Sequence, residues 1–377
     1  MYEFYLTCPR GLENILHDEI KLLINQKINV DKGGIYFNGN LEDMYRINYH
    51  TRIGMNLHYK LFEGYVSNYN DVYKSIYNLK WNNILTYNDT FAIRTKLNST
   101  IIQNQNFCTM RIKDAIVDKI RKNTNKRPSI DKRNPNFYIF IYIKNKKIKV
   151  FLNSSGWPLF MRGYRSKIHK AALNESLAAG ILDLTNWNKN LSLYDPMCGS
   201  GTFLIEAAMK AFNIPPRILR DFYAFKKWKN FDTKLWDKIV TEGKNKIKYS
   251  EINIYGSDLI QQNINLSEDS IRKLSLDKYI NLSVNNFNKI KPNENKGIVI
   301  INPPYGYRIG DIDKLKILYK NIGDHFKTRF NGFDAYIFTG NLELIKHIGL
   351  RTKKRIILKN GTIDCRLVYY PLISGKY

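Results

Sequence analysis

The tetrapeptide Asn302-Pro303-Pro304-Tyr305 carries amide and carbonyl oxygens and an aromatic ring, which together could hold a planar amino group. It lies just after the apolar run GIVI, residues 297 to 300, which is typical of a buried strand that prolines cannot continue. The side-chain oxygen of Asn302 and the carbonyl of Pro303 could accept both amino hydrogens and aim the nitrogen lone pair at a methyl donor. The prolines would keep these acceptors placed, and Tyr305 offers a stacking face. A rigid turn is the alternative for the tetrapeptide alone.

A second candidate site is the stretch DPMCGSGT, Asp195 to Thr202, between a short apolar strand and a helix. Glycines at 199 and 201 allow a tight turn and a close approach to a ligand. The helix N-terminus offers free N–H groups to a carboxylate or a phosphate. Asp195 suits a ligand with a positive group, and S-adenosylmethionine carries an ammonium and a sulfonium. The stretch lacks the lysine of a P-loop, and a plain glycine-rich turn is the alternative.

Two further polar residues end the next strands of this half of the chain. Asp258 could accept hydrogen bonds from both ribose hydroxyls of an adenosine ligand, or it could cap the following helix. Asn286 could accept from an adenine amino group, or it could be a turn asparagine. With the glycine-rich stretch, these residues favour a nucleoside cofactor.

The elements that must position these residues alternate between strand and helix from about 186 to 377. This alternation predicts a doubly wound, mostly parallel sheet, closed by a hairpin between 353 and 372. The stretch 213 to 251 is rich in lysine and tryptophan and is predicted to be helical. Two smaller α+β units are predicted ahead of it, at 1–65 and 66–155, followed by a linker and first helix at 156–185.

The charge of the chain favours a polyanionic partner. The formal net charge is +27, although abundant Asn and Lys can reflect an AT-rich genome. Residues 111 to 149 carry thirteen Lys or Arg and three acids. Aromatic residues interleave with them, and Tyr138 and Phe140 would share one strand face while Phe137 lies on the other with Ile139.

Several classes of protein and site are not indicated. The four cysteines, 8, 108, 198 and 365, are widely spaced and signal neither a zinc site nor a disulfide framework. The N-terminus has no apolar core like that of a signal peptide, and no uncharged apolar run is long enough to span a membrane. A cytoplasmic protein with reduced thiols is expected.

These motifs carry a family resemblance. DPMCGSGT with NPPYG resembles the amino-methylating class I S-adenosylmethionine-dependent methyltransferases. CPRGLE, MRIKDAIVDKIR, FMRGYR and LNESLAAGIL are similar to one branch, the bacterial THUMP-domain 23S rRNA guanine-N2 methyltransferases. The resemblance covers nearly the whole chain. It implies a ferredoxin-like domain (1–65), a THUMP RNA-binding domain (66–155) and a Rossmann-like catalytic domain with a seven-stranded sheet (186–377).

The resemblance also implies a function and roles for particular residues. The reaction would be methylation of guanine N2 in a 23S rRNA hairpin near the peptidyl-transferase centre, on free rRNA or a pre-50S intermediate. The catalytic residues would be Asn302 to Tyr305. The cofactor would be held by Asp195, Pro196, Cys198, Gly199, Gly201, Thr202, Asp258, Leu259, Asn286, Phe287, Ala172, Leu173 and Glu175. RNA would be bound by Lys113, Lys126, Arg127, Arg162, Arg165, Lys167 and Lys170.

Departures from the family and other functions stay open at this point. Asn286 stands where the family often has Asp, so we expect weaker but intact cofactor binding. Some relatives continue into a second methyltransferase domain, and the guanine-N2 reaction alone is expected of this sequence. The alternatives are a tRNA guanine-N2 methyltransferase, a DNA adenine-N6 methyltransferase and a non-catalytic RNA-binding assembly factor. Intact glycine-loop, Asp258 and Asn-Pro-Pro-Tyr motifs argue against the last of these.

Overall fold

A computed structural model describes residues 1–165, 173–306 and 312–373. Within these ranges, no helix is long and apolar enough to cross a membrane. The strands fall into two sheets, each with its own helices. Most of the buried side chains belong to one cluster that runs through both parts of the molecule.

The N-terminal half forms one eight-stranded sheet with the strand order β2-β3-β1-β4-β8-β7-β5-β6. The two units predicted at 1–65 and 66–155 are joined here, because β4 of the first pairs antiparallel with β8 of the second. The strands are β1 (Tyr2–Thr7), β2 (Ile28–Asp31), β3 (Gly34–Gly39), β4 (Asn56–Tyr65), β5 (Thr90–Asn98), β6 (Ser129–Ile130), β7 (Phe137–Lys144) and β8 (Lys147–Asn153).

Four helices cover one face of this sheet. They are α1 (Glu13–Leu23), α2 (Leu41–His50), α3 (Tyr69–Tyr77) and α4 (Gln105–Thr124). Strand β7 shows why only one face is covered: Phe137 and Ile139 are buried with α4, whereas Tyr138 and Phe140 alternate onto the opposite face. The predicted division of these aromatic residues between two faces is therefore confirmed.

The C-terminal half forms the predicted seven-stranded sheet, with the order β11-β10-β9-β12-β13-β15-β14. Its first five strands are parallel, and β15 pairs antiparallel with both β13 and β14. The strands are β9 (Ser192–Asp195), β10 (Ile254–Asp258), β11 (Ile280–Val284), β12 (Gly297–Ile301), β13 (Asp334–Thr339), β14 (Lys354–Asn360) and β15 (Ile363–Pro371). Every residue of β9 and β12 is buried, as central parallel strands require.

Six helices accompany this sheet: α5 (Glu175–Leu184), α6 (Thr202–Ala211), α7 (Thr233–Asn245), α8 (Gln261–Lys273), α9 (Ile312–Arg329) and α10 (Leu342–Ile345). The prediction of a helical stretch from 213 to 251 is only partly right. Pro215 and Pro216 cannot continue α6, and residues 214 to 223 run irregularly before the 3-10 turn Ala224–Lys227. The helix α7 is the α-helical part of this stretch, and residues 228 to 232 and 246 to 251 are not helical.

Buried arginines join the irregular segment and its neighbours to the N-terminal half. Arg217 is fully buried and donates to the carbonyls of Tyr49, Thr51 and Leu159. Arg52, in the N-terminal half, donates to the carbonyls of Met209 and Ile214 in the C-terminal half. Together with Arg162 and Arg220 they form what we call the arginine cluster. The cluster satisfies backbone carbonyls that the irregular chain would otherwise leave unpaired in the interior.

Candidate active site

The glycine-rich turn is held by β10 at the carboxyl edge of the sheet. The N–H of Cys198 donates to the carbonyl of Ser257 at 2.9 Å, and the N–H of Gly199 donates to Asp258 Oδ2 at 3.0 Å. Gly199 and Gly201 have φ of 54° and 74°, which favours glycine. No described side chain caps Gly201 at the start of α6. The first N–H groups of α6 can therefore bind a ligand carboxylate.

Asp195 places an unbalanced carboxyl group inside this turn. Its side chain is buried, and its Oδ1 accepts from the N–H of Met197 at 3.3 Å. Burial, with a smaller contribution from the charge of Asp258, raises the pKa of Asp195 to about 8. A cationic ligand would offset both effects on the pKa, so the Asp195 carboxylate fits the ammonium end of S-adenosylmethionine. Cys198 beside it stays a neutral thiol, because burial raises its pKa well above the usual value.

Cofactor binding should tighten as pH rises, because of Asp195. The raised pKa keeps the ligand-free carboxyl largely protonated at pH 6, but only its ionised form attracts an ammonium. Binding must then release a proton, so the dissociation constant of S-adenosylhomocysteine should fall about tenfold per unit between pH 6 and 7. Calorimetry across this range tests the slope. Asp195→Asn should bind weakly with no such slope; a wild-type affinity that does not change with pH would contradict the assignment.

Asp258 uses its carboxylate to organise two loops. Besides Gly199, it accepts from the N–H of Ile260 at 2.9 Å and from Asn263 Nδ2 at 3.0 Å. Neither bond is a helix cap, because α8 has Ile260 as its N-cap and no side-chain cap. A carboxylate with about four acceptor sites keeps capacity for a ribose hydroxyl. Leu259, next to it, is largely exposed and offers apolar surface beside the turn.

Asn286 is a turn asparagine, which was the alternative interpretation of this residue. Its Oδ1 accepts from the N–H of Asn288 at 3.0 Å and caps the 3-10 turn Phe287–Lys289. An amide oxygen can accept a second hydrogen bond, so a contact with adenine stays a prediction. Phe287 lies edge-on to His325, with ring centroids 5.6 Å apart.

Asn302 begins the loop after β12 with an unsatisfied acceptor. Its Oδ1 is buried and has no hydrogen-bond partner among the described residues. Leaving a buried polar atom unpaired costs about 1–3 kcal/mol, a cost that a substrate donor at this position would offset. Pro303 is buried next to it, whereas Pro304 is exposed. The position and the unpaired oxygen together make Asn302 a candidate for the residue that meets a substrate donor.

Tyr305 is positioned by two residues that the sequence did not point to. Asn360 Nδ2, at the end of β14, donates to its hydroxyl at 3.3 Å. Gly340, after β13, lies so close that a Cβ there would come within 2.9 Å of the tyrosine ring. Both contacts come from other loops of the same sheet edge. An asparagine and a glycine at strand ends are also ordinary turn residues, so no local signal distinguishes them.

Arg162 and Arg165, predicted to contact RNA, point into the protein instead. Arg162 is fully buried, and its Nε and one terminal nitrogen donate to Glu206 at 3.2 Å each. Arg165 pairs with Glu175 at 3.1 Å and donates to the Leu173 carbonyl and the Thr202 hydroxyl. The prediction of RNA contacts was wrong for both, because their partners take up the guanidinium groups.

Of the remaining residues predicted to bind RNA or cofactor, some lie at the surface and others lie outside the residues that the structure describes. Lys126 and Arg127 are exposed after α4, with the Lys126 ammonium 4.7 Å from the ring centroid of Tyr87. Lys113 lies on α4 and pairs with Asp114. Lys167, Lys170 and Ala172 lie outside the described residues. In the described part of the chain, no group of His, Cys, Asp and Glu could hold a metal ion.

Comparisons with known proteins agree along the length of the chain. Residues 162–369 match the family model of the RMKL-like methyltransferase domain, 66–153 that of the THUMP domain and 3–55 that of the RlmL ferredoxin-like domain. The chain is 35% identical to the "Ribosomal RNA large subunit methyltransferase K/L" of Psychromonas ingrahamii over 99% of this chain and 50% of that protein.

Two further proteins are similar over nearly their whole length. The "Putative RNA methyltransferase slr0064" of Synechocystis sp. is 33% identical over 98% of this chain and 96% of its own. The solved structure of "SMU.472, a putative methyltransferase complexed with SAH" is 28% identical and superposes with a TM-score of 0.88, covering 98% of each chain. By contrast, this chain spans about half the length of the K/L relatives that it matches.

Proposed function

The chain belongs to the RMKL-like methyltransferase family, and from that premise we propose that it methylates the exocyclic N2 of a guanine in 23S rRNA. Its ferredoxin-like, THUMP and class I methyltransferase domains establish the fold expected of such an enzyme. S-adenosylmethionine is its methyl donor, consistent with the S-adenosylhomocysteine in the related structure. The choice of rRNA is supported by the names of the K/L relatives, the choice of an exocyclic amino group by the chemistry of Asn302, and the choice of N2 by the family resemblance of the sequence motifs.

The observation that carries the proposal is the unpaired, buried Oδ1 of Asn302 beside Tyr305. A guanine N2 amino group is a poor nucleophile because its lone pair is conjugated with the ring. Asn302 and the Pro303 carbonyl would accept its two hydrogens, while Tyr305 stacks on the base and fixes its plane. Both acceptors are neutral, so they orient the nitrogen without removing a proton from it.

The remaining chemistry needs no strong base. Held at Asp195 and Asp258, S-adenosylmethionine would supply a methyl group on a positively charged sulfur. The N2 nitrogen would form the new N–C bond as the S–C bond breaks, the sulfur would leave as a neutral thioether, and the nitrogen would then release its extra proton to water. A guanine inside a helix cannot reach Asn302, so the base must be flipped out or lie in an unfolded region of the RNA.

Loss of the Asp258 carboxylate should weaken cofactor binding. We expect Asp258→Ala to raise the dissociation constant of S-adenosylhomocysteine about ten- to a hundredfold, because hydrogen bonds to a charged group contribute about 1.5–3 kcal/mol. Asp269→Ala, on the exposed side of α8, is the matched control. Isothermal calorimetry gives both values. An unchanged constant for Asp258→Ala would remove this residue from the cofactor site.

The substrate is tested by deleting the gene and mapping the methyl groups that disappear. Mass spectrometry of 23S rRNA and of tRNA should show the loss of one N2-methylguanine from 23S rRNA, restored by the wild-type gene and not by an Asn302→Ala copy. Loss of an N2-methylguanine from tRNA alone would show that tRNA is the substrate. Absence of any S-adenosylhomocysteine binding by calorimetry would instead support the non-catalytic alternative.

A further inference from the structure

The face of the N-terminal sheet opposite α1 to α4 forms a groove of about 1670 Å³. Its walls carry eleven lysines and arginines against a single carboxylate, Asp31. Its floor is the exposed side of strands from both the ferredoxin-like and the THUMP units, since β4 and β8 pair on both sides of one irregularity between Lys60 and Phe62. The groove therefore combines a strong positive potential with a surface that neither unit provides alone.

Aromatic rings form a band across the floor of this groove. The rings of Phe140 and Phe151 lie 6.0 Å apart, Tyr5 lies 6.2 Å from Phe151, and Tyr36 stacks on Tyr5 at 4.4 Å. Tyr142 is half-buried on the same face, one step further along β7 from Phe140. Phe151 is buried, whereas the other four rings are partly exposed. Partly exposed rings at the floor of a basic groove are typical of surfaces on which unpaired bases stack.

Cations alternate with these rings in the sheet register. Arg94 pairs across to Phe140, and Lys96 pairs across to Tyr142, so each cation lies beside a ring on the neighbouring strand. Arg94 and Lys96 are exposed and have no carboxylate within salt-bridge distance in the described part of the chain. By contrast, Lys147 and Lys149 on β8 are shared with Glu63. Arg94 and Lys96 are thus cations beside the ring band that remain available to phosphates.

We propose that this groove binds a single-stranded segment of the RNA substrate, with bases on the ring band and phosphates on Arg94 and Lys96. This inference rests on the proposed function and deepens it. A duplex does not fit the arrangement, because its bases are paired and stacked inside and cannot lie on rings at a sheet surface. Strand β7 has eight residues and spans about 26 Å, room for several bases at about 3.4 Å each.

One end of the groove borders the catalytic loop. Arg10 lines that end, and its carbonyl accepts from the N–H of Lys359 at 3.2 Å. The next residue, Asn360, donates to the hydroxyl of Tyr305. An RNA strand that leaves the groove past Arg10 therefore meets the hairpin that holds the target-base residue.

The test is direct binding of a labelled single-stranded RNA, and of the same sequence annealed to its complement, without cofactor. Fluorescence anisotropy should show that wild-type protein prefers the single strand. Tyr142→Ala should weaken that binding about tenfold, and Arg94→Glu with Lys96→Glu should weaken it and lower the salt slope by about 2. The matched controls Tyr249→Ala and Lys238→Glu, on exposed positions outside the groove, should bind like wild type.

The proposal is overturned if the groove variants bind the single strand as wild type does, or if the duplex is preferred. Binding of polyglutamate in place of RNA, lost in the same variants, would also overturn it and identify an acidic protein as the occupant. The charge variants lie at exposed positions, so they keep the test valid if Tyr142→Ala does not fold. Because the measurement is binding without cofactor, a failure of guanine methylation would contradict the proposed function and leave this result unaffected.

Discussion

Asn302→Ala should lower methyl transfer about a hundred- to a thousandfold while S-adenosylhomocysteine binds almost as tightly as before. The reason is that its Oδ1 is a buried acceptor without a partner, positioned to meet one hydrogen of the target amino group. Without it, the nitrogen can rotate its lone pair back into conjugation. The contacts available to the cofactor lie on other loops, at Asp195 and Asp258, and are not altered.

The control for this prediction is Asn341→Ala. Asn341 also follows a parallel strand of the same sheet, but its Oδ1 already accepts from the N–H groups of Glu343 and Leu344. Its loss should cost about 1 kcal/mol of stability, as for other helix caps, and leave the rate near wild type. Single-turnover transfer of labelled methyl to substrate RNA gives the rate. Wild-type turnover by Asn302→Ala would show that another residue orients the amino group.

Arg162→Ala should destabilise the protein by about 3–5 kcal/mol, the largest effect on stability that we expect. The substitution removes a bidentate partner and leaves the buried Glu206 with the hydroxyl of Tyr164 as its remaining described side-chain donor. It also frees the carbonyl of Arg52, whereas the carbonyl of Leu159 keeps its hydrogen bond from Arg217. Chemical denaturation followed by circular dichroism measures the loss. Arg121→Ala, whose side chain is 52% exposed, should change stability little.

A double variant separates the charge effect from simple loss of packing. Arg162→Met with Glu206→Leu removes both charges and keeps apolar volume, so it should be more stable than Arg162→Ala alone. If Arg162 were an RNA contact, its removal would instead weaken RNA binding with unchanged stability. A stable Arg162→Ala protein would contradict the buried arrangement.

The fold could be predicted because its signals are local. The continuous apolar runs of β9 and β12, and the turn residues after them, indicate buried parallel strands with ligand loops at one edge. The glycines at 199 and 201 have the positive φ that their turn requires. The pairing of β4 with β8 could not be predicted in the same way. It joins strands about ninety residues apart, and each belongs to a unit that was predicted as a separate α+β domain.

The contacts made by charged and polar side chains were harder to predict. An arginine next to Gly-Tyr looks the same in sequence whether it faces RNA or a carboxylate 44 residues away, as Arg162 faces Glu206. The same difficulty applies to Asn360, whose contact with Tyr305 spans 55 residues. Composition shows that the chain is basic, but only tertiary structure shows which cations are already neutralised.

The union of two units in one sheet also affects the thermodynamics of substrate recognition. Two domains on a flexible linker would lose orientational freedom each time an RNA bridged them, and that loss would weaken binding. Here β4 pairs with β8, and the arginine cluster fixes the sheet to the catalytic half, so this entropy is lost once, when the chain folds. An RNA that is bound in the groove of the N-terminal sheet is then presented to the catalytic loop at a high effective concentration.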